Sequence, residues 1–142
     1  PELMDTQAAN LVPIVFQCLD QGISPRVFGN DFPTPDGSCV RDFVHVLDFA
    51  QAHLAAIDYL SREDRPYDVF NVGTGVGSSV LDVIHEVAKV SGTQITPIIE
   101  PRRAGDPAAL KADVSRIKNV LGWSAKHDLH DIISSVWKAQ KQ

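Results

Sequence analysis

The chain has 142 residues, of which 44% are hydrophobic and 22% charged, with a formal net charge of -5 at pH 7. That size can bury one core, and the composition is globular rather than disordered or fibrous. The acidic balance argues against the broad basic surface of a nucleic-acid binder, and no apolar run is long enough to span a membrane.

The opening Pro1-Glu2-Leu3-Met4-Asp5 has no basic segment leading into an apolar run, so no signal peptide is expected and a cytoplasmic location follows. A first residue other than Met suggests a fragment or a processed chain. Asn10 is an N-cap candidate for a helix carrying Leu11, Val12, Ile14, Val15, Cys18 and Leu19, with Pro13 in the first turn and Gly22 as a stop. Arg26 to Phe28 reads as a short strand, 30–37 as a Pro/Asp/Gly-rich loop, and Val40 to Val46 as a second strand. A second helix is expected from Asp48, with Phe49, Ala52, Ala56, Tyr59 and Leu60 on one face, ended by the charged stretch Ser61 to Pro66. Asp68 to Val72 reads as a strand running into Gly73-Thr74-Gly75-Val76-Gly77. Ser79 and Asp82 then form a capping box for a third helix with Val80, Leu81, Ile84, Val87 and Ala88 inside, stopped at Gly92. Ile95 to Ile99 is a strand candidate, Pro101 to Pro107 a loop, and Asp113 to Leu121 a short helix ended by Gly122. Leu129, Ile132, Ile133, Val136 and Trp137 form the stripe of a last helix. The pattern is one α/β domain over residues 1–142, with short strands and about five helices.

Several motifs invite chemistry. Gly73, Gly75 and Gly77 follow a strand and open a helix, but position 78 is Ser, so the dinucleotide fingerprint is incomplete and a tight turn explains the glycines equally well. His127 and His130 lack a third metal ligand at suitable spacing. Cys18 and Cys39 form no C-x-x-C pair and read as small apolar residues in or near the core. Arg41 beside Asp42 suits a strand-end salt bridge. Arg102, Arg103 and Asp106 in one loop could grip a nucleotide diphosphate, since the arginine fork matches phosphate oxygens and a carboxylate accepts from ribose hydroxyls. Solvated surface charge is the equal rival. The residues alone therefore reach an α/β domain with a possible anion pocket, and no reaction.

The long block from Phe28 to Asp48, containing Arg41-Asp-Phe-Val-His-Val-Leu-Asp48, resembles the C-terminal half of UDP-glucose (UDP-galactose) 4-epimerases of the extended short-chain dehydrogenase/reductase family. Asn10-Leu11-Val12-Pro13, Asn71 to Asp82, Pro101-Arg-Arg-Ala-Gly-Asp-Pro107 and Leu121-Gly-Trp123 agree in the same order, so the similarity covers nearly the whole chain. The resemblance implies a small C-terminal substrate domain, with the Rossmann half that holds NAD absent. It implies UDP-sugar as ligand, the Rossmann domain as partner, neither nucleic acid nor membrane, and a homodimer at full length. Asn10 and the backbone of Leu11 would lie against diphosphate and sugar. The backbones of Arg26 and Phe28 would meet the uracil, Arg41 and Arg103 would clamp the diphosphate, and Asp106 would accept from the ribose. Val80 would line the nucleoside pocket, and Leu110 would line the hexose pocket, its intermediate bulk putting glucose and galactose first and leaving N-acetylhexosamines open. The glycine turn would be scaffold. The catalytic Tyr-x-x-x-Lys of the family is missing, because Glu63 follows Tyr59 and Asn71 follows Tyr67 at that spacing. The chain alone is therefore expected to be inactive, with an apolar face exposed where the Rossmann half would sit. A related dehydratase, decarboxylase or uronate epimerase, a non-catalytic UDP-sugar module, and a small NAD-binding domain are the alternatives.

Overall fold

The computed structural model describes residues 10–62 and 67–141, so the opening Pro1 to Asp5 and the stretch 63–66 lie outside the described residues. Helix α1 (Leu11–Asp20) buries Val12, Val15 and Phe16, and Gly22 follows its cap at φ 65°. Strand β1 (Arg26–Phe28) pairs in parallel with β4 (Ile98–Glu100), Val27 opposite Ile99. Strand β2 (Val40–Arg41) is central in a three-stranded sheet, antiparallel to β3 (Ser78–Ser79) and parallel to β5 (Ala109–Leu110).

Helix α3 (Val80–Ser91) is the hub, packed against α1 and against α5 (Leu129–Gln140). Its Ser79/Asp82 capping box forms as the sequence predicts, and Gly92 ends it in the left-handed conformation. Val15, Phe16, Val83, Ile84, Val87 and Ile133 have no exposed surface, and Trp137 of the predicted α5 stripe stacks on Phe16 at 5.5 Å. A second cluster joins Ala52 of α2 (Val46–Leu60), Ile117 of α4 (Ser115–Leu121) and Trp123, with Phe70 and Val72 packed on it.

The structure departs from the sequence reading where side chains override local pattern. The second strand stops at Arg41, and α2 begins at Val46 rather than Asp48, because the His45 ring accepts a hydrogen bond from the Leu47 amide at 3.1 Å and caps the helix early. Asp48 then sits inside the first turn, 3% exposed, and accepts from the Lys126 and His127 amides at 3.0 and 2.9 Å. The strand expected at 95–99 shifts to Ile98–Glu100, where β1 supplies a partner. Residues 68–72, expected as a strand, belong to no ladder among the described residues. The two-residue strands β3 and β5 are too short to carry a periodic signal.

Candidate functional site

A cavity of about 570 Å³ opens between the start of α1, strands β1 and β2, the start of α3 and the loop 101–107. That volume suits a small organic ligand. Eight sequence-predicted residues line it together: Asn10, Leu11, Arg26, Phe28, Arg41, Val80, Arg103 and Asp106.

Elementary geometry places them. Leu11, Ile14 and Cys18 recur at helical spacing and present one face of α1 to the cavity. Arg26 and Phe28 share a side of β1, while Val27 between them is buried on the other. Asn10 stands at the N-cap position of α1 with φ -97° and ψ 150°, yet its side chain makes no capping bond. No Asn10 carboxamide therefore competes for the first amides of α1, at the electropositive end of a helix.

Three arginines and one carboxylate line the cavity, in a chain whose net charge is -5. Arg41 Nη2 pairs with Asp106 Oδ1 at 3.3 Å, and its Nη1 donates to the carbonyls of Val40 and Pro107 at 2.7 and 3.0 Å. The guanidinium is thus fixed in direction, and its partner is Asp106 rather than the neighbouring Asp42. Arg103 lies over the Phe28 ring, 3.7 Å from its centroid, within cation–π range. Arg26 faces Glu100 at 3.4 Å from an exposed position. Arg102 points elsewhere: it covers the Phe32 ring at 4.1 Å and pairs with Asp31 at 2.5 Å.

Asp42 was visible in the sequence only as a neighbour of Arg41, and it organises the glycine turn. Its Oδ1 accepts from the Thr74 amide and hydroxyl at 2.8 and 2.6 Å, and its Oδ2 from the amides of Gly75 and Ala112 at 2.9 and 3.2 Å. Burial acts to raise the Asp42 pKa, but these bonds from Thr74, Gly75 and Ala112 prevail and hold it below the usual carboxylate value. Gly73 must stay bare, since a Cβ there would come 2.6 Å from Asp42 Oδ2. The Thr74 and Gly75 amides that would cradle a phosphate are already used, so the turn does not fit a dinucleotide and is scaffold.

Asp36 plays a matching part beside Val80. It accepts from the Ser38 amide and hydroxyl, both at 2.9 Å, and from the Ser79 hydroxyl, tying the 30–37 loop to the start of α3. Asp48 does so for the 126–127 loop: its Oδ1 meets His127 Nδ1 at 2.9 Å, and the His127 ring stacks on His45 at 4.4 Å. In both aspartates burial pushes the pKa up and hydrogen bonds outweigh it, leaving the net shift downward. His130 is held by Glu86 at 2.6 Å, and no group of three metal-ligating side chains exists among the described residues. No helix among them is long and apolar enough to cross a membrane.

Leu110 is placed apart from the other eight. It is 61% exposed on β5 and lines an adjoining depression with Asp42, Asn71, Lys111 and Ala112. Arg41 lines both spaces and stands between them. Sequence reasoning missed Phe43, Ile14, Ile23 and Ser24 as cavity lining, and it placed both cysteines in or near the core without seeing that they border the cavity. Cys39 is buried and Cys18 half-buried, and both border the cavity. The helical spacing of Leu11, Ile14 and Cys18 was the available signal.

Residues 2–73 match the model of the NAD dependent epimerase/dehydratase family. A UDP-glucose 4-epimerase from Corynebacterium glutamicum is 42% identical over 130 residues, which is 90% of this chain and 39% of that protein. Its counterpart from Bifidobacterium longum is 43% identical over 128 residues, 89% of this chain and 37% of that protein. Among solved structures, the UDP-glucose 4-epimerase of Stenotrophomonas maltophila with bound NAD and formylated UDP-arabinopyranose superposes with a TM-score of 0.90 at 41% identity, covering 98% of this chain and 41% of that one. The UDP-Glc/GlcNAc 4-epimerase of Campylobacter jejuni gives a TM-score of 0.83 at 42% identity over 99% of this chain and 43% of that one. The chain thus spans about 40% of the length of the relatives it matches.

Proposed function

Because this chain belongs to the NAD dependent epimerase/dehydratase family, we propose that its cavity is the nucleotide-sugar site of a UDP-glucose/UDP-galactose 4-epimerase. In this proposal residues 1–142 are the substrate portion of that enzyme. The single observation that carries the proposal is the convergence of Arg41, Arg103 and Asp106 with the open start of α1 on one 570 Å³ cavity.

The chemistry follows from the geometry. A UDP-sugar presents a diphosphate, a diol and a flat base. Arg41 and Arg103 offer two planar, pre-set forks to the diphosphate, and the α1 amides offer further donors. Asp106 accepts from the ribose diol while keeping Arg41 oriented. Leu11, Val80 and the Phe28 region form the apolar walls of the base, with the Arg26 and Phe28 main chain at its edge. The hexose would pass Arg41 into the depression beside Leu110. Leucine there leaves glucose and galactose as the first substrates, with N-acetylhexosamines open.

Hydride exchange at sugar carbon 4 is the chemistry that bound NAD supplies in this family. The residues described here bind and orient the sugar nucleotide, and the cofactor and the proton-transferring Tyr-x-x-x-Lys pair are assigned to polypeptide outside them. Neither Tyr59 nor Tyr67 has Lys at the required spacing. Epimerisation by this chain alone is accordingly expected to be nil, measured by interconversion of UDP-glucose and UDP-galactose.

Parallel calorimetric titrations with UDP, UDP-glucose and NAD test the proposal. Binding of the two uridine ligands without NAD supports it. Binding of NAD without UDP would replace it with a dinucleotide domain.

A further inference from the structure

His45 is buried where α2, α5 and the 126–127 loop meet, and it takes no part in lining the ligand cavity. Its hydrogen bonds allow one protonation state. The Leu47 amide donates to Nδ1 at 3.1 Å, so Nδ1 carries no proton. Ser135 Oγ stands 3.1 Å from Nε2. The single Ser135 hydroxyl proton is committed to the Ile132 carbonyl at 2.7 Å, so Ser135 can only accept and Nε2 is the donor. His45 is therefore neutral, with its proton on Nε2. A proton added at Nδ1 would set two N–H groups against each other. It would also leave the Leu47 amide, in the first turn of α2, without the acceptor that caps it.

His127, stacked on His45 at 4.4 Å, has the opposite tolerance. Its Nδ1 donates to Asp48 Oδ1 at 2.9 Å, a bond that survives protonation at Nε2 and is strengthened by it. A charged His127 places a cation against the His45 ring, and two stacked imidazolium rings repel. The other ionisable groups on these elements give His45 no counter-charge. The Asp48 carboxylate is taken by the His127 ring and by the Lys126 and His127 amides, and Lys126 adds positive charge. On α5, Asp128 and Asp131 accept from each other's amides, and His130 is held by Glu86. Phe43 connects this cluster to the cavity. It lies two residues before His45 and lines both the 570 Å³ cavity and a 280 Å³ pocket shared with Thr74, Lys126 and His127.

We propose that His45 is a proton-sensitive latch: neutral, it pins the start of α2 to α5, and protonated, it lets go, so that the β2–α2 connection carrying Phe43 loosens at the wall of the cavity. A free imidazole titrates at about pH 6.5. The latch is closed above that range and opens as pH falls through it. One pH unit below, about nine free imidazoles in ten are charged, so the closed population should fall about tenfold between pH 7.5 and pH 5.5. The release is local, because His45 stands outside the cluster that joins α1, α3 and α5. The latch itself does not depend on which ligand the cavity takes.

Two measurements on the unsubstituted chain test it. Nitrogen NMR of the imidazole rings at pH 7.5 should find His45 protonated at Nε2 and bare at Nδ1, the reverse of His127. Hydrogen exchange at the Leu47 amide, corrected for the intrinsic pH dependence of exchange, should lose about tenfold of its protection from pH 7.5 to pH 5.5. His45→Asn keeps an uncharged capping acceptor and should remove that response, while His127→Gln should leave it in place. Calorimetry with UDP-glucose, whose diphosphate keeps its charge over this range, should show weaker binding at pH 5.5 in the unsubstituted chain and not in His45→Asn. A Leu47 response with no UDP-glucose binding at either pH would support the latch and refute the ligand assignment. The opposite tautomer at His45, equal protection at both pH values, a response that persists in His45→Asn or disappears in His127→Gln, or UDP-glucose binding that stays constant while Leu47 opens would each overturn the proposal.

Discussion

Arg103 stands over Phe28 with its guanidinium carbon 3.7 Å from the ring centroid, a cation–π contact that holds the fork at the cavity. Removing it deletes charge-assisted hydrogen bonds worth about 1.5–3 kcal/mol. Arg103→Ala should therefore weaken UDP binding roughly ten- to a hundredfold, read by calorimetry, and Arg103→Lys should fall between because it keeps the charge and loses the fork. Leu110 acts at the same scale but on selectivity. Its side chain is the bulk in the depression beyond Arg41, so Leu110→Ala should raise turnover of UDP-N-acetylhexosamines relative to UDP-glucose in the complete enzyme. An unchanged ratio would remove Leu110 from the hexose pocket. Arg103 and Asp106 were legible from the residues as one reading of a charged loop, with solvated surface charge the equal rival, and Arg41 became a site residue only through the family resemblance. The residues alone did not separate Arg102 from Arg103, and the resemblance chose Arg103; in the structure Arg103 stands over Phe28 and Arg102 over Phe32.

At the scale of elements, aspartates join pieces that local sequence leaves separate. Asp42 fixes the glycine turn and β5, Asp36 fixes the 30–37 loop to α3, and Asp48 fixes α2 to the 126–127 loop. All three have pKa values lowered from the ordinary 3.8. A carboxylate depressed by folding contributes stability above its unfolded pKa and loses it as pH falls through the folded value. Urea midpoints should accordingly be flat above about pH 5 and drop steeply below about pH 4. Asp42→Asn should lower the plateau by about 2–4 kcal/mol and shallow that acid limb. A limb of unchanged steepness would mean that Asp42 does not titrate with folding. Gly37 holds the same loop by its backbone: φ is +80° and a Cβ would lie 2.0 Å from the Asn30 carbonyl oxygen. Gly37→Ala should cost about 2 kcal/mol or more and loosen the Asp36 tie, seen as a lower melting temperature. Helices α1 and α3 were legible from periodicity and flanking cap residues, and α5 from periodicity alone. Strands β3 and β5 were not, since two residues carry no period and their partners lie far along the chain.

For the whole molecule, the core around α1, α3 and α5 is closed, while Val46, Leu54, Ile57 and Leu60 on the flank of α2 and Tyr67 and Val69 beyond it are exposed. Exposed contiguous apolar surface drives association. The chain by itself should therefore self-associate at micromolar concentration, with a molar mass by light scattering that rises with protein and salt; Leu54→Asp/Ile57→Asp should keep it smaller. A monomer across that range would mean that the bare flank is not sticky. Sequence by itself determined the α/β class, the amphipathic helices and the chemical identity of the site residues, because periodicity and side-chain chemistry are local properties. Tertiary structure alone decided that eight residues spread from Asn10 to Asp106 meet on one cavity, that Leu110 stands outside it, that Asp42 already uses the glycine turn, and that residues 67–72 join no strand ladder among the described residues. Each of those depends on contacts across tens of residues, which burial and hydrogen-bond satisfaction fix only when the chain is folded.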